Sequence, residues 1–81
     1  MWQPLMRKFQ LHEGCIIRQI IHEGNEQFET IYKISKVGEY YFFIQAISQN
    51  GKRFSAKQQL VLGYRINRIM YFGFELLTEQ A

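Results

Sequence analysis

Asn50-Gly51 constrains this chain more than any other pair of residues. It separates two runs suited to strands, Tyr40–Ser48 and Arg53–Leu62. Asn and Gly both tolerate positive φ, so the pair predicts a two-residue type I′ hairpin turn. The register then follows from the two-residue period of a strand. Gln49 faces Lys52, Ile47 faces Phe54, Gln45 faces Ala56, Phe43 faces Gln58 and Tyr41 faces Leu60. The opposite face pairs Ser48 with Arg53, Ala46 with Ser55, Ile44 with Lys57 and Phe42 with Gln59.

Gly24-Asn25 predicts a second hairpin. Here Glu23 faces Glu26, Ile21 faces Phe28, Gln19 faces Thr30, Ile17 faces Tyr32 and Cys15 faces Ile34. The other face sets Ile16, Arg18 and Ile20 against Glu29, Ile31 and Lys33. Both faces carry apolar residues, which leaves room for cover on both sides. Helical spacing also fits Ile16, Ile17, Ile20 and Ile21. The β-branched run between Gly14 and Gly24 favours a strand, and the helix stands as the alternative for Cys15–Ile21.

Further strands are expected at Leu5–His12 and Arg65–Leu76, with Gly73 marking a bulge or close approach. Ser35–Glu39 reads as a turn, and Gln58–Gly63 as a strand end or short helical turn. Short strands with turn signals every 8–12 residues describe an all-β domain. The 81 residues form a single β-domain over 1–81. The predicted architecture is a five- or six-stranded antiparallel bent sheet or small SH3-like barrel, which buries most with least chain.

The formal net charge of +3 is unevenly spread. Residues 1–39 balance five Lys/Arg against five Glu; residues 40–81 set five Lys/Arg against Glu75 and Glu79. A lone cysteine, Cys15, permits no internal disulfide and fits a reducing, cytoplasmic setting. It is expected to be buried among Ile17, Ile21 and Ile34. No run approaches the ~20 apolar residues of a membrane helix, so no membrane partner is expected. The start at Met, with neither a signal-peptide pattern nor a tag, reads as a complete small protein. Trp2, beside the terminus, is expected to fold back onto the domain.

Chemistry-bearing motifs are sparse. The chain has no Asp, phosphate loop, nucleophile elbow or paired Cys. His12-Glu13-Gly14 recurs as His22-Glu23-Gly24, which is turn chemistry used twice. With Cys15 it lacks known zinc spacing. No cofactor, metal or catalytic residue is expected.

The basic, aromatic segment Tyr40–Phe74 points elsewhere. Exposed rings stack on bases and cations neutralise phosphates. The predicted hairpin face gathers Tyr40 and Phe42 beside Arg53 and Lys57, with Arg65 and Arg68 following. These six are the candidate nucleic-acid-binding residues. The competing reading puts Tyr40 and Phe42 in the core and the cations on its rim. The alternative function is a protein-interaction or self-association module, a regulator or inhibitor, with a protein partner or a second copy as its ligand.

Overall fold

The computed structural model describes residues 1–78; Glu79, counted in the charge balance, lies outside the described residues. Its strands are β1 (Trp2–Pro4), β2 (Ile16–Glu23), β3 (Glu26–Val37), β4 (Tyr41–Gln49), β5 (Lys52–Arg53), β6 (Val61–Arg65) and β7 (Phe74–Leu77). They form one antiparallel sheet in the order β1-β7-β2-β3-β4-β5, with β6 also paired to β4. The strand count is therefore seven, and the sheet is bent without closing into a barrel. Register shifts between Ile31 and Tyr32 and between Ile34 and Lys36 interrupt the β3–β4 ladder. Such bulges bend a sheet.

Both hairpins form at the expected dipeptides. β2 and β3 pair from Ile16↔Lys33 to Glu23↔Glu26, including Ile17↔Tyr32 and Gln19↔Thr30. Cys15–Ile21 is accordingly extended, not helical. Asn50 and Gly51 have φ of 50° and 80°. The Asn50 side chain also accepts from the Glu29 N–H at 2.8 Å, tying this turn to β3.

The predicted register holds as far as Phe54, whose N–H donates to the Ile47 C=O at 2.8 Å, and fails beyond it. Ser48↔Arg53 and Gln49↔Lys52 pair as expected. The chain then leaves the sheet through a 3-10 turn at Ala56–Gln58 and returns as β6. Ile44 meets Leu62 instead of Lys57, and Phe42 meets Tyr64 instead of Gln59. The displacement is five residues (62 − 57), an odd number, so the outward and inward positions exchange. Gln58 provides a local reason for the excursion. Its side chain accepts from the Ser55 N–H at 2.9 Å and Oγ at 3.2 Å, folding the turn on itself.

Two other expected strands are also broken. Leu5–His12 is a loop carrying a 3-10 turn at Lys8–Gln10. The Gln10 Oε1 accepts from the N–H groups of Met6 and Arg7, both at 2.9 Å. The turn lets Leu5 and Leu11 both point into the core. Arg65–Leu76 divides into the end of β6, a 3-10 stretch at Ile66–Tyr71, and β7. Ile66 and Ile69 are buried three apart, matching the three-residue period of that stretch. The β3–β4 turn falls at 38–40, because β3 runs on to Val37.

The core lies on the concave side of the sheet. Ile17, Tyr32, Ile34, Phe42, Ile44, Phe74 and Leu76 point into it, and Leu5, Leu11, Ile66 and Ile69 pack over them. Phe74 is the hub, with ring centroids 5.9, 6.3, 5.6 and 5.8 Å from Tyr32, Phe42, Tyr64 and Phe72. Edge-on contacts of this kind contribute about 0.5–1.5 kcal/mol each beyond area burial. Cys15 packs against this core but is half-buried, a correction to its expected full burial.

The opposite face is only partly covered. Ile16, Ile20 and Ile31 are half-buried there. Arg18 donates to Glu29 and Glu75, each at 2.9 Å, and stacks 4.3 Å from the Trp2 ring centre. Trp2 is thus folded back, and one guanidinium links β1, β2, β3 and β7.

Candidate nucleic-acid interface

The five-residue displacement redistributes the six candidate residues. Phe42 is 0% exposed, stacked on Tyr64 in the core, and so is unavailable to a base. Arg53 is exposed on β5. Lys57 is exposed on the Ala56–Gln58 turn and pairs with no residue of β4. Arg68 is exposed on the Ile66–Tyr71 stretch. The Tyr40–Phe42–Arg53–Lys57 face predicted from the hairpin is therefore not one surface. Its physical cause is the slip at β6, which gives Phe42 an aromatic partner in place of Gln59.

Tyr40 and Arg65, by contrast, come together. They line one open cleft with Glu39, Tyr41, Ile66 and Asn67, of volume about 400 Å³. Two backbone hydrogen bonds and one buried side chain build it. The Gly38 N–H donates to the Tyr41 C=O at 2.8 Å, closing the β3–β4 turn. The Ile66 N–H donates to the Tyr40 C=O at 2.9 Å, fixing the end of β6 against the start of β4. Ile66 then turns into the core and anchors the cleft floor.

Alternation along β4 decides which rings reach solvent. Phe42 and Ile44 are inward, so Tyr41 lies on the outer face, opposite Arg65. The Arg65 guanidinium carbon is 5.8 Å from the Tyr41 ring centre, within cation–π reach. Tyr40 is 70% exposed, far beyond what a core ring would show. Lys8, from the Lys8–Gln10 turn, donates to the Glu39 C=O at 3.2 Å and brings another cation to this end. The site thus holds two tyrosine rings, an arginine, an amide and a carboxylate around an apolar floor.

Sequence reasoning missed Tyr41, Glu39, Ile66 and Asn67. Tyr41 was legible, because a buried Phe42 requires its neighbour to face outward. Asn67 was not, because its placement depends on the 3-10 stretch following β6.

Among the described residues, no group of three His, Cys, Asp or Glu side chains is placed to hold a metal ion. No helix among them is long and apolar enough to cross a membrane. Comparison with known proteins returned no match to a family model, a curated protein or a solved structure.

Proposed function

We propose that this chain binds single-stranded nucleic acid at the Tyr40–Tyr41–Arg65 cleft, acting in the cytoplasm by binding and not by catalysis. The observation that carries the reading is the exposed Tyr40 ring beside Arg65 in an apolar cleft. A ring with no core role, next to a cation, suits a base and its phosphate together. Cleft volume falls within the range of small-ligand sites, so one base fits. Asn67 and Glu39 supply the hydrogen-bonding groups that read the edge of an unstacked base. Charge acts in the same direction, since the excess of +3 resides in the second half of the chain.

Backbone NMR of the whole chain, titrated with a short single-stranded oligonucleotide, tests this reading. Shift changes should centre on Tyr40, Tyr41, Arg65 and Asn67. Changes centred on Ile16, Ile20 and Ile31, or none at low salt, would contradict it.

A further inference from the structure

We propose that β6 is a self-association edge, and that two copies of the chain join there as an antiparallel strand pair. The unpaired backbone of β6 can be identified from its pairing with β4. The Ile66 N–H donates to the Tyr40 C=O at 2.9 Å and the Ala46 N–H donates to the Leu60 C=O at 3.4 Å. Leu62 and Tyr64, paired with Ile44 and Phe42 between these two bonds, therefore spend their N–H and C=O groups on β4. Val61 and Gly63 point theirs the other way, where they bond to nothing among the described residues.

The terminal strands of the sheet differ in how they are protected. β1 has three residues and includes Pro4. β5 has two residues, both cationic. Short length, proline and positive charge are the usual ways a sheet edge avoids pairing with another chain. β6 has five residues and no Pro, and its one charge, Arg65, stands at its last position. Val61 and Leu62 are 54% and 44% exposed on it, and Leu60, just before it, is 65% exposed. Unsatisfied backbone groups flanked by apolar side chains call for another strand, and the segment is complementary to itself.

The register is set by side chains. A two-fold axis at Leu62 pairs Val61 with Gly63 of the second copy, exchanging both backbone bonds, and vice versa. Leu62 then meets its own counterpart and Leu60 meets Tyr64, so the exposed leucines cover each other. On the outer face the ring of Phe43 lies over Gly63, where a Cβ would come within 2.8 Å of its Cε1. Val61 of the second copy packs against that ring. No two like charges are opposed, because Arg65 falls opposite Gln59. An axis at Gly63 would instead set Val61 against Arg65. Both clefts lie on the same side of the joined sheet, with the two Arg65 residues about 20 Å apart along the strands.

Sedimentation of the whole chain across a concentration series tests the association. A mass rising from one chain to two is expected, and a monomer throughout would overturn the proposal. Val61→Pro removes an N–H that bonds to nothing in the single chain, so the dimer should be lost with the circular dichroism unchanged. Val61→Lys keeps every backbone group and places a charge within the apolar part of the edge; it should also give a folded monomer. Folded variants that remain dimeric would overturn the use of β6. The register has its own test in a Cys15→Ser background. Leu62→Cys places two thiols on the axis with Cα atoms about 4.5 Å apart, suited to a disulfide. Mild oxidation should yield a covalent dimer; wild-type dimer without this cross-link would overturn the Leu62 axis.

Discussion

Phe42 and Tyr40 are two residues apart, and the fold gives them opposite fates. Phe42 is fully buried between Tyr64 and Phe74. Phe42→Ala should cost about 3–5 kcal/mol of stability, measured by urea denaturation. Tyr40→Ala should leave that midpoint nearly unchanged and cost about 1–3 kcal/mol of oligonucleotide binding. Tyr32 gives a pH signature. Burial raises its phenol above the ordinary value of 10.0, with Tyr64 adding to the shift and the Thr30 hydrogen bond opposing it. The fold thus favours the neutral phenol. Its contribution is complete below the unfolded value and is lost as pH rises through the higher folded one. Stability should fall above about pH 10, and Tyr32→Phe should flatten that fall. An equally steep fall in the variant would assign it to other groups.

At the scale of elements, local chemistry was legible and long-range chemistry was not. Gly24-Asn25 fixed every pair of the β2–β3 ladder, because each follows from the turn by simple alternation. Asn50-Gly51 fixed its turn and the first pairs for the same reason. Gly51→Val should therefore cost on the order of 1 kcal/mol or more, since φ of 80° strains a β-branched residue. A variant with an unchanged denaturation midpoint would show the turn to be unstrained. The β6 register depends instead on the excursion through Ala56–Gln58, which alternation cannot foresee. Lys57 was lost from the candidate face by that cause alone. The 3-10 stretch at Ile66–Tyr71 left a trace in the Ile66/Ile69 spacing, but the alternation of Phe72, Phe74 and Leu76 beyond it favoured one continuous strand. Two of the six cleft residues, Tyr40 and Arg65, were therefore visible as residue types, while their meeting was not.

In the whole molecule, a small bent sheet uses its concave side for an aromatic core and leaves a tyrosine–arginine cleft at one end. The core takes the rings that alternate inward, and the cleft keeps Tyr41, which alternates outward, and Tyr40, which lies in the turn before β4. Nucleic-acid binding at that cleft is the central claim, and salt dependence tests it most directly. A single-stranded oligonucleotide should be titrated into wild type and Arg65→Gln at two salt concentrations. Wild-type affinity should fall as salt rises, because bound phosphates release counterions. Arg65→Gln should bind more weakly at low salt and flatten the salt slope by roughly one unit. No binding to wild type at low salt, or a slope unaffected by Arg65→Gln, would contradict the account.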